Sequence, residues 1–147
     1  MSFPDPTLIL PHKDPFLFIS KITDLVPSES AEALWVLEGT EYFFKGHFPG
    51  RPTLPGVLMC ESIAQLGAYV VLQDNRFEDK LPLFGGLENA RFRQQVVPGD
   101  TLKLQVEVLR LSARGGKASG EAFVNGNLAC SAAVSYTHLT LPTTPYV

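Results

Sequence analysis

The strongest constraint on the fold is a single run, LPGVLMCESIAQLGAYVVLQDN, which begins at Leu54 and is apolar on nearly every side. Pro55 suits the first turn of a helix, where its missing N–H has no intrahelical partner to lose. A helix without a polar face has to be surrounded. The run therefore predicts a buried helix at the centre of the domain, and the rest of the chain has to supply what surrounds it. With 147 residues there is enough chain for one domain of ordinary size, and for a full core without disulfide or metal staples.

The remainder reads as extended segments and turns. Residues 1–15 hold four prolines and read as an extended or turning arm, since proline fixes its own backbone and restricts the residue before it. Residues 16–26 and 30–37 predict two strands split by Pro27-Ser28, followed by a loop over 38–53 dense in Gly, Pro and aromatics. Beyond the helix, residues 81–87 and 91–97 read as two short extended pieces, and Pro98-Gly99-Asp100 as a turn. Residues 101–111 alternate Leu102, Leu104, Val106 and Val108 against Lys103, Gln105 and Glu107, the period of a half-buried strand. A turn at Gly115-Gly116, a returning strand over 118–124, the hairpin turn Asn125-Gly126 and a strand over 128–133 complete the pattern. One buried helix and five or six hairpin-linked strands predict an α+β domain, an antiparallel sheet wrapped around one central helix. Open sheet edges in such a fold predict a dimer.

Composition narrows the function classes. The chain is 45% hydrophobic and 18% charged, a globular balance. A net charge of −3 speaks against a general nucleic-acid binder, which is usually basic. No basic–apolar–small leader pattern occurs, and no apolar run approaches the length of a membrane span. The expectation is a cytoplasmic protein with neither membrane nor nucleic acid as partner. Cys60 and Cys130 lack metal-ligand spacing and read as two buried, reduced thiols. Near the end of the chain VSYTHLTL, residues 134–141, with Pro142-Thr143 back-translates to a transposon end joined to a sequencing adapter. The domain is therefore expected to span residues 1–133, with 134–147 a non-native tail in which Tyr136 and His138 have no functional role.

Two features carry chemistry. Glu61 sits about two turns into the apolar helix, beside Leu58, Met59, Ile63 and Ala64, and burying a carboxylate is costly unless it is paired or protonated. Gln65, one turn on, lies on the same face and is placed to orient it. Taken alone, Glu61 is as consistent with a satisfied buried carboxylate as with a catalytic one. The second feature is Gly46-His47-Phe48-Pro49-Gly50, one imidazole in a tight loop; alone it is more often structural. Together they suit the elimination of water. An imidazole can take a proton from carbon 2. A carboxyl group in an apolar site can protonate the departing 3-hydroxyl. The helix start at Pro55-Gly56-Val57 offers free backbone N–H groups to an oxyanion, and Gly56 lets a ligand approach closely. A thioesterase using the helix carboxylate to activate water, and a non-catalytic acyl or carrier-protein binding module, are the competing readings.

Leu10-Pro11-His12-Lys13-Asp14-Pro15-Phe16-Leu17, then Phe44-Lys45-Gly46-His47-Phe48-Pro49-Gly50-Arg51-Pro52, then Leu54-Pro55-Gly56-Val57-Leu58 with Glu61, Ala64 and Gln65, resemble the 3-hydroxyacyl-[acyl-carrier-protein] dehydratases of the FabZ type. The resemblance continues through Phe84-Gly85-Gly86-Leu87, Arg91-Phe92, Gln95 to Asp100 and Val124-Asn125-Gly126. It implies the hot-dog fold and the dehydration of (3R)-3-hydroxyacyl-[acyl-carrier-protein] to the trans-2-enoyl product, a hydro-lyase step of fatty acid synthesis. It implies His47 and Glu61 as the catalytic pair, contributed by different subunits of a homodimer, with Gly56, Val57, Phe48 and Gln65 on the substrate. It implies dimers assembling as a trimer of dimers, acyl carrier protein as partner, and no cofactor, because the phosphopantetheine arm arrives with the substrate. Relatives that also isomerise typically have Asp where this chain has Glu61, which favours simple dehydration. The acidic carrier implies a locally basic docking face, with Arg76, Lys80, Arg91 and Arg93 as candidates. His12 reads as structural or as lining the site entrance.

Overall fold

The computed structural model describes residues 2–77 and 80–140. Its centre is the predicted helix, α2, Gly56–Val71, with twelve of its residues buried. Six strands surround it: β1 (Lys21–Val26), β2 (Ser30–Val36), β3 (Lys80–Phe92), β4 (Thr101–Leu111), β5 (Gly115–Val124) and β6 (Asn127–Thr140). They form one sheet in the order β1-β2-β4-β5-β6-β3, every neighbouring pair antiparallel. Alternation along β4 buries Leu102, Leu104 and Val106 while Lys103 and Glu107 point out. Ile63, Leu66 and Val70 of α2 join those residues, Ala33 and Ala118 in one core. Each fully buried Leu or Ile contributes about 1.5–3 kcal/mol relative to exposure. At Gly120 of β5 an added Cβ would meet Ile63 Cγ2 and lie 2.9 Å from Val106 Cγ1, so glycine there lets helix and sheet close up.

Several segments differ from the sequence reading, each for a local reason. Residues 16–19 stay out of the ladder, the Phe18 N–H donating to Gln65 Oε1 of α2 at 2.8 Å; the Ser20 N–H reaches the Leu34 carbonyl at 2.7 Å, and β1 starts at Lys21. The two pieces expected over 81–87 and 91–97 are one strand, β3, carried across register shifts between Phe84 and Gly86 and between Glu88 and Arg91, and 93–97 lie outside it. Gly115 and Gly116 are inside β5, paired with Thr137 and Tyr136 of β6. The turn there is at residues 112–114. The N-terminal arm is partly helical: α1 (Pro6–Ile9) has Asp5 as N-cap, its carboxylate accepting from the Thr7 N–H at 2.8 Å. Lys13 Nζ donates to the carbonyls of Thr7 and Leu10 at 2.7 and 3.0 Å, and the Tyr69 hydroxyl donates to the Pro4 carbonyl at 2.7 Å.

β6 does not stop at Ala133. Residues 134–140 continue the ladder, Val134 facing Leu87 and Thr137 facing Leu83 of β3. Within that stretch the buried Tyr136 hydroxyl donates to the Ala64 carbonyl at 2.5 Å, and His138 is buried beside the Phe77 ring. The described part of the expected tail is thus integral to the sheet, and Tyr136 and His138 have packing positions; 141–147 lie outside the described residues. Cys60 and Cys130 are both buried free thiols, and the hydrogen bond between them holds Cys60 low and pushes Cys130 up.

Candidate active site

The loop before α2 fixes His47 from both sides. The Thr53 N–H donates to the His47 carbonyl at 2.7 Å. Phe48 and Arg51 exchange backbone hydrogen bonds of 3.1 and 2.8 Å, with Gly50 taking a positive φ of 71° to turn the chain. His47 Nδ1 lies 2.8 Å from the Thr53 carbonyl oxygen. A carbonyl can only accept, so Nδ1 carries the proton and Nε2 presents its lone pair. That is the tautomer a general base needs. The imidazole shares an open groove of about 530 Å³ with Thr53, Gly56, Val57, Phe92 and Arg93.

The helix start lies in the same groove. Pro55 is the N-cap and no side chain caps the first turn, so the first N–H groups, at Gly56 and Val57, lack intrahelical acceptors. Val57 is 68% exposed. A Cβ on Gly56 would lie 2.7 Å from Phe92 Cε1, so glycine keeps both the ring and the amides where they are. Phe48 stacks on His47 with ring centroids 4.1 Å apart, but lines a neighbouring cleft with Tyr42, Phe44 and Pro52.

Glu61 is elsewhere. It lines a small cavity of about 110 Å³ with His12, Gln65, Leu83, Phe84 and Tyr136. The one-turn spacing read from sequence closes into a hydrogen bond: Gln65 Nε2 donates to Glu61 Oε2 at 2.9 Å. The same Nε2 donates to the Phe16 carbonyl at 3.0 Å, and Gln65 Oε1 accepts from Phe18. The amide of Gln65, 1% exposed, is thus fully used inside the protein. His12 comes up beside the carboxylate, its Nε2 3.6 Å from Glu61 Oε2, while its Nδ1 is buried without a partner. Burial holds the His12 imidazole below its ordinary value, Glu61 pulling the other way and Lys13 adding to the depression. The sequence carried no periodic signal for this contact; the only hint was a histidine held between Pro11 and Pro15.

Within one chain, then, His47, Gly56 and Val57 come together, and Glu61, Gln65 and His12 come together, in separate cavities. Leu83 and Phe84 of β3 border the second and Phe92 of β3 the first. The two cavities thus lie toward opposite ends of β3. Among the described residues no group of three or more His, Cys, Asp or Glu is arranged to hold a metal, and no helix is long and apolar enough to cross a membrane.

A sheet folded around one long helix, with a loop imidazole at the helix start and a carboxylate further along it, defines the hot-dog dehydratase class. The dehydratase heterocomplex ApeI:P from Xenorhabdus doucetiae is similar in fold over 94% of this chain and 93% of that one, with a TM-score of 0.80 at 17% identity. A hypothetical thioesterase from Streptococcus pneumoniae TIGR4, solved with coenzyme A, shares the fold at a TM-score of 0.60 and 10% identity, over 84% of this chain and 88% of its own. The chain belongs to the family of the FabA-like domain, whose model matches residues 10–133. It is 46% identical over 121 residues to the 3-hydroxyacyl-[acyl-carrier-protein] dehydratase FabZ of Moorella thermoacetica, covering 82% of this chain and 85% of the relative. Against the enzyme of the same name from Enterococcus faecalis it is 45% identical over 128 residues, 87% and 91% of the two chains.

Proposed function

We propose that the protein is a hydro-lyase that dehydrates a 3-hydroxyacyl group carried on the phosphopantetheine arm of acyl carrier protein, giving the trans-2-enoyl thioester of fatty acid synthesis. The observation that carries the reading is an Nε2-basic imidazole at the uncapped start of α2 and, one turn along the same helix in a second cavity, a mostly buried carboxyl. His47 Nε2 takes a proton from carbon 2. The Gly56 and Val57 N–H groups donate to the thioester oxygen as negative charge develops on it, Glu61 protonates the departing 3-hydroxyl, and Phe48 and Val57 border the substrate. Gln65 acts on the substrate through Glu61, because its own amide is committed. No metal or organic cofactor takes part.

Acid and base must reach adjacent carbons, yet in one chain they line separate cavities toward opposite ends of β3. A second copy resolves this. β3 is an edge strand with Leu83, Phe84, Leu87 and Phe92 exposed. Pairing it antiparallel with its own copy about a two-fold axis near Glu88 sets the Phe84 end of one protomer against the Phe92 end of the other. Each site then takes His47 from one subunit and Glu61 from its partner, and three such dimers form the assembled enzyme. Arg93 borders the groove that holds His47 and, with Arg91, supplies positive charge for an acidic carrier, whereas Arg76 is held by Asp74 at 2.9 Å. The enzyme works in the cytoplasm. Residues 134–147 are foreign to it, a reading supported by the family match ending at 133 and by a buried His138 whose two ring nitrogens find no hydrogen-bond partner among the described residues. Long-read sequencing of the gene's 3′ end tests this, and an unbroken genomic frame through Val147 overturns it.

The functional test is turnover of 3-hydroxyacyl carrier protein with enoyl product and free thiol measured together. Enoyl without thiol is expected; thiol alone means hydrolysis, and binding without either means a carrier module. His47→Ala and Glu61→Gln should each abolish turnover. Refolding the two variants together should restore about a quarter of the sites, because half the dimers are mixed and each has one intact site. A mixture as inactive as its parents refutes the shared site.

A further inference from the structure

The proposed acid, Glu61, has two oxygens, and the structure treats them differently. Oε2 receives the Gln65 amide at 2.9 Å and faces His12 Nε2 at 3.6 Å. The orientation of Gln65 is fixed independently: its Oε1 accepts from a main-chain N–H, Phe18, and its Nε2 donates to a main-chain carbonyl, Phe16. Nε2 can only donate, so Oε2 is an acceptor, and a proton placed there would point at N–H groups.

We infer that His12 is a positioning residue for Glu61, which together with Gln65 commits Oε2 as an acceptor and leaves Oε1 as the oxygen that carries the proton to the departing hydroxyl. The inference rests on the dehydratase reading of the site and deepens it. The balance is simple. The C2–H proton passes to His47 Nε2, the C2–C3 double bond forms as the C3–O bond breaks, and Oε1–H protonates the leaving hydroxyl to give water. His47 is left cationic and Glu61 anionic until a proton returns through solvent.

The geometry of His12 suits that moment. Its Nδ1 is buried with no hydrogen-bond partner among the described residues, so Nε2 is the nitrogen with a partner. A lone pair on Nε2 would face a developing carboxylate, which is repulsive; an N–H there is attractive. At 3.6 Å the contact is longer than a formed hydrogen bond, and catalytic contacts in ligand-free sites commonly shorten once substrate is bound. The His12 N–H is therefore worth most when Glu61 has given up its proton, in the transition state rather than the ground state, and its loss should appear in kcat. Two titratable groups face the carboxylate: the arm brings His12, on which Lys13 also acts, and β6 brings the Tyr136 phenol, which Glu61 pushes further up after burial. That phenol is turned away, donating to Ala64. The arm is folded on itself by Lys13 on the carbonyls of Thr7 and Leu10 and held to α2 by the Tyr69 hydroxyl on the Pro4 carbonyl, so the placement of His12 is built in.

The experiment compares His12→Phe, which keeps a ring but no donor, with His12→Gln, whose amide N–H can stand where Nε2–H stands. Both are assayed as the full chain on 3-hydroxyacyl carrier protein, with melting temperature as a check and Glu61→Gln as reference. His12→Phe should lower kcat about 10- to 100-fold, the cost of a loosened catalytic group, with KM within about twofold, and His12→Gln should recover most of kcat. A parental kcat in His12→Phe, an effect confined to KM, or a His12→Gln no better than His12→Phe overturns the inference. An active Glu61→Gln instead overturns the site reading beneath it.

Discussion

Gln65 is where the proposed acid, the N-terminal arm and the helix are joined, and Gln65→Met isolates what that junction contributes. Methionine keeps the length and fills the volume but removes all three hydrogen bonds. The Phe18 N–H is the decisive loss, because Phe18 is 2% exposed and no water can replace Gln65 Oε1, which accepts from it at 2.8 Å. A buried donor left unpaired costs about 1–3 kcal/mol. The Phe16 carbonyl and the Glu61 carboxylate lose less, since Phe16 is exposed and Glu61 only partly buried. Burying a thioether in place of an amide gives part of this back. The net expectation is a loss of about 2 kcal/mol, or about 4–8 °C in melting temperature for a domain of this size. The single tryptophan is a local reporter, because Trp35 stacks on Phe18 with centroids 4.9 Å apart. Urea unfolding followed by its fluorescence, at fixed protomer concentration because association couples to stability, gives the number directly. A loss below about 0.5 kcal/mol would mean that Phe18 finds another acceptor and that the amide is not the tie between arm and helix.

Gly120→Ala should destabilise by about 1–3 kcal/mol through overpacking, because its Cβ would press on Ile63 Cγ2 and Val106 Cγ1; Ile63→Val in the same chain should recover part of the loss in the same urea titration, and a neutral Gly120→Ala would refute the close approach. Acid should weaken the fold early. His12 and His138 are both held below 6.5 by burial first, with Lys13 acting on His12 and Lys80 on His138 in the same direction and Glu61 opposing at His12. The unfolded chain then binds protons the folded one refuses, so this contribution is complete above about pH 6.5 and is lost as pH falls toward the lower folded values. Melting temperature should drop between pH 7.5 and 5, and His138→Leu should flatten that drop; an unchanged slope would mean that His138 is protonated without cost.

The fold was legible where physics is local or periodic. An all-apolar helix, period-two alternation in β4 and the Asn125-Gly126 turn each follow from near neighbours in sequence, and all three stand in the structure. What escaped depends on partners far along the chain. Nothing within residues 16–20 reveals that Phe18 will spend its N–H on a glutamine 47 positions away, and nothing in 81–97 reveals that register shifts will keep β3 continuous. The end of the chain escaped for a different reason. The origin of residues 134–147 says nothing of their conformation, and the ladder between β3 and β5 accepts whatever strand-compatible residues follow Ala133. The site divided in the same way: Glu61 and Gln65 are one helical turn apart and their bond could be read directly, whereas His12 reaches them only through the folded arm.

The two borders of the sheet are unlike. β1 offers a short, mostly polar rim broken by a register shift between Ile22 and Asp24, while β3 offers thirteen residues with large apolar side chains left bare. Such a border is a template for any extended polypeptide. In the proposed dimer that border is covered, so dilution or mild denaturant that separates protomers should make the protein adhesive before it makes it unfolded, and solutions kept concentrated should stay clear longer than weak ones.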